Sequence, residues 1–261
     1  EINNSFIDLN RSGCALMEIV SEPDMRSPSE AAEYVKKLRN ILRYVGSCDG
    51  NMEKGNLRAD VNVSVRKKGE KLGTRCEIKN VNSIRFIQQA IEYEASRQVS
   101  LIEDGKEIIQ ETRLFDPDKG ETRSMRGKEE SHDYRYFPDP DLPPLVLDDE
   151  MINNLRTKLP ELPDKKKIRF MDDFKISNYD AEILVNDKFI SDFFEEIVKG
   201  RDSKIVVSWI TVELFSYLKK TNQSLEESSI NSEKISTLID LIISSKISNR
   251  QAKEIFEDYL N

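Results

Sequence analysis

Three acidic residues, Glu18, Asp60 and Glu77, are placed to do chemistry. Asp60 lies in Leu57-Arg58-Ala59-Asp60-Val61-Asn62-Val63-Ser64-Val65-Arg66, where small and apolar residues alternate with polar ones. That period of two predicts a half-buried strand over 57–66, with Ala59, Val61, Val63 and Val65 on one face and Arg58, Asp60 and Asn62 on the other. Lys67-Lys68-Gly69-Glu70 reads as a turn, and residues 74–79 as the return strand. Cys76 and Ile78 then point inward, and Arg75, Glu77 and Lys79 outward. Antiparallel pairing would bring the carboxylates of Asp60 and Glu77 toward each other across the ladder. Two close carboxylates repel unless a proton or cation intervenes, and a hard cation such as Mg²⁺ takes oxygen ligands of this kind. Glu18 interrupts an otherwise apolar run, Gly13–Val20, and could supply a third oxygen. The residues alone leave two readings open: a metal site, or an ordinary solvated strand face.

The surroundings favour an anionic ligand. Between Lys54 and Arg85 there are nine Lys or Arg residues and three acidic ones, inside a chain of net charge −8. Such a basic stretch suits phosphates of ATP or tRNA. There is no Walker-type phosphate loop and no dinucleotide fingerprint. The single histidine, His132, excludes a site built on two or more histidines of this chain. Cys14, Cys48 and Cys76 are too few and too scattered for a disulfide framework, which fits a reducing compartment. No apolar run is long enough to span a membrane.

Several elements must position these groups. Ser27-Pro28-Ser29-Glu30 predicts a capped helix start, followed by an amphipathic helix ending before Gly46. Residues 13–20 read as a buried strand or helix start, with Cys14 in the core. A second helix opens at Asn82 or Ser83 and ends near Gly105. Short strands over 107–114 and 121–125 flank a turn at 116–120. Residues 133–147, with Tyr134, Tyr136, Phe137 and four prolines, form an extended aromatic segment. Helices are expected over 149–159, 178–198, 203–220, 231–245 and 249–260. Trp209 belongs to a helical core, and Ser248 with Gln251 forms another capping box. The fold class is α+β, an antiparallel sheet with helices, followed by an all-helical part, with the boundary near Leu147. A chain of 261 residues fits this division.

The runs Asp8-Leu9-Asn10-Arg11, Leu16-Met17-Glu18-Ile19-Val20-Ser21-Glu22-Pro23-Asp24, Asp49-Gly50-Asn51-Met52 and Leu57–Ser64 resemble the B subunits of the bacterial aspartyl/glutamyl-tRNA amidotransferases. Glu77-Ile78-Lys79-Asn80-Val81-Asn82-Ser83, Gln110-Glu111-Thr112-Arg113, Glu121–Met125 and His132-Asp133-Tyr134-Arg135-Tyr136-Phe137-Pro138 extend the resemblance. It is looser after residue 145, chiefly over Ile247–Phe256.

The resemblance implies a protein that uses ATP and Mg²⁺ to phosphorylate the side-chain carboxylate of glutamate misacylated on tRNA(Gln), and often of aspartate on tRNA(Asn). Ammonia from a glutamine-hydrolysing amidase partner then displaces phosphate, and a small third subunit stabilises the assembly. It implies Glu18, Asp60 and Glu77 as metal ligands and catalytic residues. Arg11, Arg58, Lys79 and Arg85 become candidates for phosphate contact. It further implies residues 1–147 as part of a kinase/transamidase cradle domain, 148–246 as a helical domain, and 247–261 as the start of a tRNA-binding tail. The family's opening segment, whose Gly-Leu-Glu-Val-His motif supplies other ligands, has no counterpart here. The chain is therefore expected to be a fragment that does not catalyse the whole reaction by itself. Bacterial cytoplasm is the expected location. Two other readings remain: an archaeal-type glutamyl-tRNA(Gln) amidotransferase subunit, which the lack of a large insertion disfavours, and a noncatalytic tRNA-binding or assembly module.

Overall fold

The computed structural model describes residues 6–10, 13–127 and 143–260. Ser27 caps α1 (Pro28–Val45) by accepting from the Glu30 amide at 3.1 Å. The Glu30 carboxylate accepts from the Arg26 amide, one residue before the cap, so the box closes one position early. α1 ends at Gly46, whose φ of 74° closes a left-handed cap that a side chain would strain. Ser83 likewise caps α2 (Ile84–Glu103).

The sheet has four strands in sequence order: β1 (Val61–Val63), β2 (Cys76–Lys79), β3 (Glu111–Asp116) and β4 (Glu121–Gly127). β1 pairs antiparallel with β2, and β3 with β4. β2 and β3 pair parallel, which α2 permits by crossing over between them. The expected alternation holds, but strand 57–66 shrinks to three residues because β2 offers β1 only a short partner edge. Beyond it the chain bends into a loop whose base is tight. A Cβ on Gly73 would lie 2.3 Å from the Val65 carbonyl oxygen. β3 starts and ends later than expected, and the Asp116 carboxylate organises its turn by accepting from the Asp118 amide.

α2 covers one face of this sheet and packs on α1. Between them lies a core of Met52, Val63, Ile78, Val81, Ile87, Ala90 and Phe115. A second core fills the helical part, built on α4 (Pro163–Phe174), α5 (Asn178–Val185), α6 (Lys188–Ile197), α7 (Ser203–Ser208), α8 (Phe215–Thr221), α9 (Ser232–Ile243) and α10 (Asn249–Leu260). α3 (Asp149–Lys158) buries none of its residues. The α+β class followed by helices is thus the observed architecture.

Four expectations need correction. Residues 13–20 form neither helix nor strand and are exposed, with Leu16, Met17 and Val20 facing solvent, and Cys14 is exposed rather than core. The predicted helix 178–198 is two helices, because Asp187 leaves the helix and caps α6 through the Phe189 and Ile190 amides. The predicted helix 203–220 contains a π-helical turn over Trp209–Leu214, which keeps Trp209 buried against Phe256. α4 falls where no element is expected, although Pro163 in its first turn is a helix-start signal. The Ser248–Gln251 box forms as expected. His132 and the aromatic segment through Phe137 lie outside the described residues.

α1 joins the two cores. The Tyr44 hydroxyl donates to the Val185 carbonyl at 3.0 Å and lies 3.0 Å from Ser191 Oγ. Arg43 pairs with Asp187 at 2.9 Å. Lys166 is buried beside the Tyr44 ring and held by Asp192 and Glu195.

Candidate functional site

The β1–β2 register sets Asn62 opposite Glu77 and Val61 opposite Ile78. One step further along the same antiparallel register, Asp60 stands opposite Lys79. Alternation sends Cys76 and Ile78 to the α2 side, where both are fully buried. Glu77 and Lys79 therefore emerge on the uncovered side with Asp60 and Asn62. There the Lys79 ammonium bridges both carboxylates, 2.8 Å from Asp60 Oδ2 and 3.0 Å from Glu77 Oε1. Thr112, beside Glu77 in the parallel β2–β3 register, donates its hydroxyl to Glu77 Oε2 at 3.2 Å.

The expected approach of Asp60 and Glu77 is thus present, with a lysine as the positive charge between them. The hydrogen bond to Asp60 is the largest influence on Lys79. With the further bond to Glu77 it outweighs desolvation and holds the ammonium's pKa above its usual value. The donors around this point are carboxylate, amide and hydroxyl oxygens, from Asp60, Glu77, Asn62 and Thr112. That chemistry suits Mg²⁺, which commonly takes one or two carboxylates and completes its shell with water and substrate phosphate.

Glu18 lies in the exposed, irregular segment 13–20. Among the described residues, no three His, Cys, Asp or Glu side chains gather as a metal-binding group. The structure therefore brings Asp60 and Glu77 together and leaves Glu18 apart. Arg58 is exposed, and its guanidinium donates to the Gly55 carbonyl at 3.2 Å. Arg85 is exposed in the first turn of α2, just past a turn in which Asn80 adopts a φ of 68° and anchors to the Phe115 carbonyl. Arg11 lies outside the described residues. The surface hollow between the start of α5 and α7 does not include this face.

The opposite face of the sheet holds polar residues that sequence reasoning missed. Glu94 of α2 is fully buried and accepts from Arg97, Gln98 and Thr122 at 2.6–3.0 Å. Arg113 adds its guanidinium 3.2 Å from Glu94 and bonds Glu111 as well. Gln98 also donates to the Val63 carbonyl. The i, i+3 and i, i+4 spacing of Glu94, Arg97 and Gln98 was a readable signal. The partners on β1, β3 and β4 were not, because they depend on the sheet's register. This network fixes α2 to β1, β3 and β4, on either side of the strand that carries Glu77.

The family profile described as "GatB/GatE catalytic domain" matches residues 1–153, and that described as "GatB domain" matches residues 192–261. The chain is 62% identical over 253 residues to the B subunit of the aspartyl/glutamyl-tRNA(Asn/Gln) amidotransferase of Methylobacterium nodulans, covering 97% of the chain and 52% of that relative. The protein of the same name from Pelagibacter ubique is 61% identical over 259 residues, 97% of the chain and 53% of the relative. That from Granulibacter bethesdensis is 60% identical over 253 residues, 97% and 52%. The chain spans about half the length of the curated relatives it matches.

Proposed function

The chain belongs to the GatB/GatE family, and from that premise we propose that it supplies the carboxylate-activating part of a tRNA-dependent amidotransferase. The substrate is glutamate misacylated on tRNA(Gln), or aspartate on tRNA(Asn). A carboxylate is a poor electrophile, so its oxygen first attacks the γ-phosphorus of ATP and ADP leaves. Ammonia then attacks the activated carbonyl carbon, and the carbon–oxygen bond breaks to release phosphate and leave the amide. A glutamine-hydrolysing amidase partner provides the ammonia, and a small third subunit completes the assembly.

The observation that carries this reading is the meeting of Asp60 and Glu77 on one uncovered sheet face. In it, Asp60 and Glu77 hold Mg²⁺, which when bound offsets the charge of the transferring phosphoryl group. Thr112 orients Glu77. Lys79, Arg58, Arg85 and Arg11 serve the phosphates. Glu18 would be a third ligand. Residues 1–147 form the cradle portion, 148–246 a helical domain and 247–261 the start of the tail. No helix among the described residues is long and apolar enough to cross a membrane, and we place the reaction in the bacterial cytoplasm.

The test is ATP-dependent conversion of glutamyl-tRNA(Gln) to glutaminyl-tRNA(Gln) by the full-length protein with its partner proteins. Asp60→Asn and Glu77→Gln should each lower the rate by at least about a hundredfold, as loss of a metal-held phosphoryl clamp does. Wild-type rates in both variants would reject the assignment.

A further inference from the structure

Lys79 does something that a simple phosphate-binding lysine does not: it occupies the point between the two acidic oxygens. We propose that its ammonium is an exchangeable counterion, which holds Asp60 and Glu77 together until a divalent cation displaces it and frees it for an anionic phosphate ligand. The inference rests on the metal-binding reading of Asp60 and Glu77.

The geometry supplies the reason. The two oxygens can be no further apart than the sum of the two ammonium distances, 2.8 and 3.0 Å. Mg²⁺ binds oxygen at about 2.0–2.1 Å, so a small inward movement of each carboxylate suffices to replace the ammonium with the metal. Both cations cannot share the position, because like charges at such separation repel. Exposure makes the exchange feasible. The Lys79 side chain is 41% exposed and Asp60 is 55% exposed, so the freed ammonium moves into water or onto a phosphate without being buried.

Lys166 provides the contrast inside the same molecule. It too sits between two carboxylates, Asp192 at 2.6 Å and Glu195 at 2.7 Å. Yet its side chain is only 7% exposed and lies beside the rings of Tyr44 and Phe170. Freeing that ammonium would leave its own buried charge unpaired, so Lys166 is a fixed tie. Lys79 has the same partners in kind but an open side toward solvent.

The consequence is a coupling. Metal arrival releases a positive charge beside the metal, so the metal and a phosphate ligand favour each other's binding through Lys79. The experiment measures Mn²⁺ binding to the full-length protein by electron paramagnetic resonance, with and without a non-hydrolysable ATP analogue. Lys79→Met should bind Mn²⁺ alone roughly three- to tenfold more tightly than the wild type, because the competing charge is gone. It should also lose most of the enhancement that the analogue gives the wild type. Lys79→Arg, which keeps a charge, should not tighten Mn²⁺. Unchanged or weaker Mn²⁺ affinity in Lys79→Met overturns the exchange. The double variant Asp60→Asn/Glu77→Gln separates the two failures. If it binds Mn²⁺ as the wild type does, the metal reading itself falls, and the exchange with it. If it loses Mn²⁺ while Lys79→Met fails to gain affinity, only the exchange falls.

Discussion

Arg113 of β3 and Glu94 of α2 meet beneath the sheet, with the guanidinium Nε 3.2 Å from the carboxylate and Glu94 fully buried. Removing the carboxylate would take away the acceptor that Arg97, Gln98 and Thr122 share, and one of the two carboxylates beside an Arg113 side chain that is only 10% exposed. Glu94→Ala should destabilise the fold by about 3–5 kcal/mol, the usual cost of breaking a buried charged pair. Urea unfolding of the variant and wild type checks this, and a change below about 1 kcal/mol would show that the network does not hold α2 to the sheet.

The same carboxylate gives the fold an acid limit. Burial pushes Glu94 up, but the hydrogen bonds from Arg97, Gln98 and Thr122 prevail and hold it below the ordinary glutamate value of 4.5. A group whose folded pKa lies below its unfolded one contributes stability that is complete above the unfolded value. That stability is lost as pH falls through the folded value. The stability gap between wild type and Glu94→Gln should therefore be constant near neutrality and shrink below about pH 4.5. A gap independent of pH down to strongly acidic conditions would refute this role.

Tyr44 sets a limit at the alkaline end. Burial is the main cause that pushes its phenol up to about 12, with Asp192, Asp187 and Glu195 adding to it against the lowering bond with Ser191. Its folded value exceeds the unfolded one, so the stabilisation is present below the unfolded value of 10.0 and lost as pH rises through about 12. Ultraviolet titration should show one tyrosine ionising well after the exposed ones. Tyr44→Phe should abolish that late step and cost about 1–2 kcal/mol for its lost hydrogen bonds. A titration without a late step would contradict the buried joint between α1 and α5–α6.

Thr112 can be probed independently of Lys79. Its hydroxyl orients one oxygen of Glu77. Thr112→Val should weaken Mn²⁺ binding by up to about tenfold without lowering thermal stability, and Thr112→Ser should restore it. Equal Mn²⁺ affinity in all three proteins would remove Thr112 from the site.

Local chemistry was legible where a residue's neighbours in sequence decide its state. Ser27, Ser83 and Ser248 cap the helices they precede, and the alternation around Val61 and Val63 set the two faces of β1. What depends on distant chain was not. The parallel joint of β2 and β3 follows from where α2 returns the chain, and the partners of Glu94 follow from that joint. Residues 13–20 show the limit most plainly. Their apolar pattern is real, but burial requires a covering surface, and Leu16 is 95% exposed. At the site, the shared face of Asp60 and Glu77 was readable from alternation, whereas the place of the lysine between them required the register.

The exposed run has a measurable consequence. Leu16, Met17 and Val20 are exposed apolar side chains within five residues of one another, and such side chains bind hydrophobic dyes. Leu16→Ser combined with Val20→Ser should lower anilinonaphthalene sulfonate fluorescence of this chain at unchanged thermal stability. Unchanged fluorescence would show that these side chains are covered in solution.

If a side-chain carboxylate is activated by phosphorylation at the Asp60–Glu77 face, as proposed, the fate of its oxygen reports it. Glutamyl-tRNA(Gln) carrying a heavy oxygen isotope in its side-chain carboxylate would be converted by the full-length protein with its partner proteins and ATP, and the released phosphate analysed by mass spectrometry. One labelled oxygen should appear in phosphate for each amide formed, and Asp60→Asn should suppress both products together. Amide formation with unlabelled phosphate would contradict it.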